Sequence, residues 1–208
     1  MSAPRLPPPR APDFRRPALL APQARRALRA CPPARHRTGI RPAPDLRRGG
    51  ARAHMASNGD DTITGTAGAD TVDLGDGNDS FGSWITDTGD DLIFGGTGDD
   101  TIRVTDTDGF GVLAGDSGTD RLEFVSNATT AGTYIHYTGG GTLDYFEFGT
   151  LTERGTAQGI ENITGTDHYD WIDATSNTLT ASYDGGAGGD TTHGGAGAET
   201  LRGGDDSL

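Results

Sequence analysis

The chain has 208 residues, with 17 basic and 30 acidic side chains and a formal net charge of −13. That length holds one or two small domains. Its one cysteine, Cys31, excludes an intrachain disulfide, the absence of lysine excludes P-loop and Schiff-base chemistry, and no apolar run of about 18 residues exists to cross a membrane as a helix.

Residues 1–55 differ in composition from the rest. They hold all 11 prolines, 13 arginines and only two acids, Asp13 and Asp45. The segment therefore carries +11 and the remainder −24. It has no apolar periodicity, so it buries too little surface to offset its ordering entropy and is expected to be a disordered Arg/Pro-rich extension. A secretory signal needs an apolar run of about 7–15 residues, and Ala18-Leu19-Leu20-Ala21 is too short. A transit peptide would be Ser-rich, and only Ser2 is present. The composition resembles GC-rich DNA translated outside a coding frame, and the expectation is an artefactual extension with translation beginning at Met55. A transit peptide and a basic nucleic-acid arm are the alternatives, and no nucleic-acid partner is expected.

From Ala56 the chain divides into nines: ASNGDDTIT (56–64), GTAGADTVD (65–73) and LGDGNDSFG (74–82). Ser83-Trp84-Ile85 interrupts, then TDTGDDLIF (86–94) and GGTGDDTIR (95–103) follow. The fourth position is Gly59, Gly68, Gly77, Gly89 and Gly98. The sixth is Asp61, Asp70, Asp79, Asp91 and Asp100, and the eighth is Ile63, Val72, Phe81, Ile93 and Ile102. A turn-rich linker does not hold glycine, aspartate and an apolar residue in fixed phase over five units. DTDGFGVLA (106–114) has Gly111 where Asp belongs, and GDSGTDRLE (115–123) restores Gly118, Asp120 and Leu122.

Residues 124–164 form a non-periodic β segment. Thr133–Tyr137 and Leu143–Phe148 are rich in β-branched and aromatic residues and predict strands around the turn at 138–142. Degenerate repeats return over 165–208. GTDHYDWID (165–173) has Asp170 but His168 at the glycine position, GGAGGDTTH (185–193) has Asp190 but Thr192 at the apolar position, and GGAGAETLR (194–202) has Glu199 for Asp.

The nonapeptide resembles the G-G-x-G-x-D-x-U-x repeat of RTX (hemolysin-type) calcium-binding proteins. GGTGDDTIR matches it at each defined position, and Gly159–Gly165 resembles a segment that leads into such repeat blocks. The chemistry agrees. Glycines permit sharp turns at positive φ, turned carbonyls can face one cation, and calcium takes about 6–8 oxygens at ~2.3–2.6 Å. The three residues after each Asp are expected to form a short strand with the eighth side chain inward. The resemblance implies a right-handed parallel β-roll or β-helix with two repeats per coil. It also implies calcium between stacked loops, pairing residues about eighteen apart such as Asp61 and Asp79. The candidate ligands are Asp61, Asp70, Asp79, Asp91, Asp100, Asp120, Asp170 and Asp190, with the loop glycines Gly59, Gly68, Gly77, Gly89, Gly95, Gly98 and Gly118.

Other motifs fail. Asp106, Asp108 and Gly109 fit part of an EF-hand loop, but Val104 and Gly115 stand where its first and twelfth ligands belong. Gly115-Asp116-Ser117-Gly118 resembles a serine-protease nucleophile motif but runs into Thr119. His136, His168 and His193 are scattered, and there is no H-E-x-x-H zinc motif. Asp144 and Glu147 are read as strand carboxylates rather than a catalytic pair, and Trp84 and Trp171 as covering coil edges. The expectation is an all-β calcium-binding module, not an enzyme. It would come from a secreted protein that folds on calcium outside the cell, with type I secretion machinery as a possible partner. The chain looks like a fragment. The alternatives are part of a secreted hydrolase or epimerase, or an adhesive or ice-binding β-solenoid. The latter calls for a regular outward Thr array that Thr62, Ser80, Leu92 and Thr101 do not make.

Overall fold

The computed structural model describes residues 52–82, 89–105, 111–125, 132–148 and 150–204. The arm up to Ala51, the Ser83-Trp84-Ile85 interruption, Asp106, Asp108 and residues 205–208 lie outside the described residues. The first part of the chain supplies β1 (Arg52–Met55), β2 (Thr62–Thr64), β3 (Asp70–Asp73), β4 (Ser80–Gly82), β5 (Leu92–Thr97), β6 (Thr101–Thr105), β7 (Gly111–Ser117) and β8 (Arg121–Val125). The second supplies β9 (Thr133–Gly139), β10 (Thr142–Glu147), β11 (Glu153–Gln158), β12 (Asn162–Thr164), β13 (Trp171–Asp173), β14 (Ala181–Asp184), β15 (Thr191–His193) and β16 (Glu199–Arg202). There is no helix among the described residues.

The strands wind into a parallel β-solenoid. One sheet runs β2-β4-β6-β8-β12-β14-β16, one strand per coil for seven coils, and every neighbour pair is parallel. The other runs β1-β3-β5-β7-β11-β10-β9-β13-β15. The shortest strands follow from the repeat: β2 lies between the sixth-position Asp61 and Gly65 of the next loop, and β15 between Asp190 and Gly194. Their side chains alternate as expected. In β3, Asp70 and Val72 are buried while Thr71 and Asp73 are exposed.

The inward residues stack in register. Ile63, Phe81, Ile102, Leu122, Ile163 and Tyr183 follow one another along the first sheet. Val72, Ile93, Leu113 and Ala157 do so along the second. All but Ile63 are fully buried. Each large aliphatic side chain removed from water contributes about 1.5–3 kcal/mol, so one apolar position per nine residues builds a core only because the coils stack.

Two features depart from the sequence reading. Arg52–Met55, within the segment assigned to the extension, is a solenoid strand paired with β3, and His54 stands opposite Val72 in the inward row. The arginine-rich composition around it hides that register. Coil spacing is also not uniform. Thr62 pairs eighteen residues on with Ser80, but Thr71 pairs with Leu92 and Thr101 with Arg121. The pairs that span the three extra residues, Thr71 with Leu92 and Ser80 with Thr101, are twenty-one apart, and the inward phase of the strands is kept.

The non-periodic segment is part of the same two sheets. β9 and β10 form an antiparallel hairpin around Gly139–Gly141, β11 pairs antiparallel with β10 and parallel with β7, and β12 continues the other sheet. The hairpin thus adds two strands to one sheet only. Large rings occupy this part of the core: Tyr137 packs edge-on against Tyr183 at 5.7 Å, and Phe124 against Tyr145 at 5.3 Å. The missing Asp at Gly111 has its reason here. Gly111 and Gly155 are register partners, and a Cβ at Gly111 would lie 2.6 Å from the Tyr145 hydroxyl, with one at Gly155 closer still. Two glycines form the slot that admits this ring.

Candidate metal centre

The sixth-position carboxylates form two rows, one at the start of each sheet's strands. Asp61, Asp79, Asp100 and Asp120 precede β2, β4, β6 and β8, while Asp70 opens β3 and Asp91, Asp170 and Asp190 precede β5, β13 and β15. Within each row the backbone N–H of one Asp donates to the carboxylate of the next coil. Asp61 donates to Asp79 Oδ1 at 2.7 Å, Asp79 to Asp100 Oδ1 at 2.8 Å and Asp100 to Asp120 Oδ1 at 2.8 Å. Asp70 donates to Asp91 Oδ1 and Asp170 to Asp190 Oδ1, both at 2.8 Å, and Thr133 N–H donates to Asp170. The ladder holds each carboxylate at the junction of two coils.

The second oxygen separates two kinds of loop. In closed loops the N–H of the second repeat position, four residues upstream, donates to that oxygen. Ser57 donates to Asp61 at 2.7 Å, Thr66 to Asp70 at 2.6 Å, Thr166 to Asp170 at 2.6 Å and Gly195 to Glu199 Oε2 at 2.7 Å. The Ser57, Thr66 and Thr166 hydroxyls add bonds of 2.7, 3.0 and 2.9 Å to the same carboxylates. In open loops the second position has positive φ: Gly75 at 93°, Gly96 at 105° and Asp116 at 69°. There Asp79, Asp100 and Asp120 are at most 2 % exposed, yet each Oδ2 is buried without a hydrogen-bond partner. A buried ionised oxygen without a donor is costly and calls for a positive partner.

The glycines make room at these oxygens. A Cβ at Gly95 would lie 2.5 Å from Asp100 Oδ2 and 2.5 Å from the Gly115 carbonyl oxygen of the next coil. Those two oxygens are therefore no more than about 5 Å apart, a span that one calcium ion ~2.3–2.6 Å from each can bridge. Gly115 is placed likewise against Asp120 Oδ2 and the Gly159 carbonyl, and Gly165 against Asp170 Oδ2 and the Gly185 carbonyl. Fourth-position glycines stack backbone to backbone: Gly77 on Gly59, Gly89 on Gly68, Gly98 on Gly77 and Gly118 on Gly98.

Burial dominates the electrostatics. It pushes Asp100 up to about 6 against a hydrogen bond from Asp79 N–H, with the Asp79 carboxylate adding to the rise. Asp120 is pushed up to about 7 in the same way, with Asp100 and Glu161 adding. Burial also raises Asp79, and it raises Asp170 to about 6. No three His, Cys, Asp or Glu side chains converge on one point among the described residues. A metal at these junctions would draw on backbone carbonyls with one or two carboxylates, a hard-oxygen set suited to calcium.

The remaining candidates lie elsewhere. Glu147 accepts a hydrogen bond from the Arg154 guanidinium at 2.9 Å, and Asp144 stands across from His136. Trp171 stacks on His193 at 5.4 Å on the strand face beside the hairpin. Two carboxylates missing from the predicted ligand set sit in the rows. Glu199 occupies the Asp position beside Gly194 with Oε1 buried and unpartnered. Glu161 Oε2 accepts the Asp120 N–H at 2.9 Å. The first is legible as an Asp-to-Glu change in the repeat, whereas the second has no signal in the nine-residue register.

A stacked parallel solenoid with carboxylates and turned glycine loops at each coil junction is the architecture of a calcium-binding β-roll. The family model for the RTX calcium-binding nonapeptide repeat matches four copies in this chain, across residues 55–81 and 85–103. That stretch carries RTX calcium-binding nonapeptide repeats, and the two matched blocks flank the interruption that splits the pattern. None of the curated proteins compared with the chain matches it.

Proposed function

We propose that the chain is the calcium-binding β-roll module of a secreted protein, and that it folds when calcium binds outside the cell. The observation that carries this reading is the row of buried, unpartnered Oδ2 atoms of Asp79, Asp100 and Asp120, of which those of Asp100 and Asp120 stand beside a carbonyl of the next coil. In this reading calcium is held first at these open loops, by the carboxylates and by carbonyls such as that of Gly115. Asp61, Asp70 and Asp170, whose carboxylates are closed by their own loops, contribute more to coil geometry than to affinity. Bound calcium supplies the positive charge that lets like-charged carboxylates stack in a dry junction. Type I secretion machinery is the partner that the resemblance implies, and it fits a protein whose carboxylates repel until it reaches a calcium-rich medium. A structural, calcium-dependent role fits the repeats and the solenoid better than an active site does.

The test is a calcium titration of the purified chain followed by far-ultraviolet circular dichroism. A weakly structured spectrum in chelator should convert cooperatively to a β spectrum, as metal-coupled folding requires. Magnesium should not substitute, because it keeps its waters and demands octahedral geometry. A β spectrum and thermal transition that are the same in chelator and in calcium would overturn the proposal.

A further inference from the structure

We infer that Glu161 and the Gly159 carbonyl complete a calcium site on Asp120, between the fourth and fifth coils and outside the nonapeptide register. The inference rests on the calcium reading above. In the repeat, the first glycine and the sixth-position Asp are five residues apart, as in Gly115 and Asp120. Gly159-Ile160-Glu161 compresses that loop to two.

The two groups nevertheless take the same places. A Cβ at Gly115 would fall on the Gly159 carbonyl oxygen and Asp120 Oδ2 together, as one at Gly95 falls on the Gly115 carbonyl and Asp100 Oδ2. Asp120 N–H donates to Glu161 Oε2 at 2.9 Å, continuing the ladder in which Asp100 N–H donates to Asp120 Oδ1 at 2.8 Å. The short loop is fastened on both sides. Asn162 N–H donates to the Asp120 carbonyl at 2.9 Å, Ile160 is buried in the core, and β12 lies in register on β8. The extra methylene of glutamate lets a carboxylate reach the row from a loop three residues shorter.

The independent sign of a ligand is Asp120 itself, 1 % exposed with Oδ2 buried and without a hydrogen-bond partner. A buried carboxylate oxygen, a second carboxylate on the same N–H ladder and a converging carbonyl form a hard-oxygen set. The ion it fits is calcium. The row of open loops at Asp79, Asp100 and Asp120 thereby ends on a charged ligand that the repeat pattern does not encode.

The test counts calcium ions bound per full-length chain by equilibrium dialysis, for wild type, Glu161→Gln and Glu123→Gln. Glu161→Gln keeps volume and an acceptor for Asp120 N–H but loses the charge. It should bind one ion fewer at free calcium that saturates the wild type, with that ion weakened ~10-fold or more, since ligand charge sets affinity. Glu123, which points out of β8 toward Arg103 at 2.5 Å, serves as the charge control and its variant should keep the wild-type count. A wild-type count and isotherm for Glu161→Gln would overturn the inference while leaving the calcium reading intact. No calcium bound by wild type would overturn both. If Glu161→Gln does not fold in saturating calcium, Glu161→Asp decides. Its arm is too short for the compressed loop, so it should lose the same ion, and retention of that ion would overturn the assignment.

Discussion

Replacing Asp100 by Asn should have opposite effects with and without calcium. Asp100 sits between Asp79 and Asp120 in one row, accepts the Asp79 N–H through Oδ1 at 2.8 Å and has Oδ2 buried without a partner. Carboxylates one strand spacing apart, ~4.8 Å, repel by about 3.5 kcal/mol at an effective dielectric near 20. Asp100 has such a neighbour on each side. Asn keeps the Oδ1 acceptor and removes the charge, so β structure remaining in chelator should rise. In calcium the same change removes a carboxylate ligand shared by two coils, so the calcium concentration for half-folding should rise about tenfold. Asp70→Asn is the contrast, because its carboxylate is already closed by Thr66 N–H at 2.6 Å and the Thr66 hydroxyl at 3.0 Å. It should lower stability by about 1–2 kcal/mol through weakened charge-assisted hydrogen bonds and move the calcium midpoint by no more than that loss explains. Circular dichroism at 218 nm, recorded across calcium titrations at fixed ionic strength, reads both quantities. Equal midpoints for the two variants would refute the division into open and closed loops.

The raised carboxylates set a pH dependence. Burial lifts Asp100 to about 6 and Asp120 to about 7 in the folded chain without metal, so that state binds more protons than the unfolded one. Its stability is therefore highest below the unfolded carboxylate range near 3.9 and is lost as pH rises through about 6–7. Protonation relieves the repulsion in the row before calcium does, so β structure remaining in chelator should be greater at pH 5.5 than at pH 8, and equal content at the two pH values would contradict burial of these groups. Ile102→Ala, in the centre of the inward stack, should cost about 2–5 kcal/mol in urea unfolding at saturating calcium. Gly155→Ala puts a Cβ against the Tyr145 hydroxyl and the Gly111 carbonyl. It should lower the melting temperature, and Tyr145→Phe in the same chain should partly restore it by removing the hydroxyl that the new methyl strikes.

The fixed phase of Gly, Asp and an apolar residue determined most of this molecule. Each coil must turn at the glycines, form a short strand after the Asp and bury the eighth side chain. The parallel stack of Ile63, Phe81, Ile102 and Leu122 follows from those local rules. The hairpin at 133–147 was also legible, because two β-branched and aromatic runs flank three glycines. Other features depend on residues far apart in the chain and have no period to betray them. Strand β1 is recognised only by its register on β3, since its own sequence is arginine-rich like the arm before it. Gly111 looks like a lost ligand until Tyr145, more than thirty residues later, is seen to need its space. Whether an aspartate keeps an oxygen for metal is decided by the backbone angle four residues upstream, where Gly75, Gly96 and Asp116 turn to positive φ while Ser57 and Thr66 close on the carboxylate. Glu161 joins the row from a loop with no repeat at all, because stacking β12 on β8 brings its carboxylate to the Asp120 N–H. Local chemistry wrote the coil, and only the contact between coils selected which carboxylates face one another.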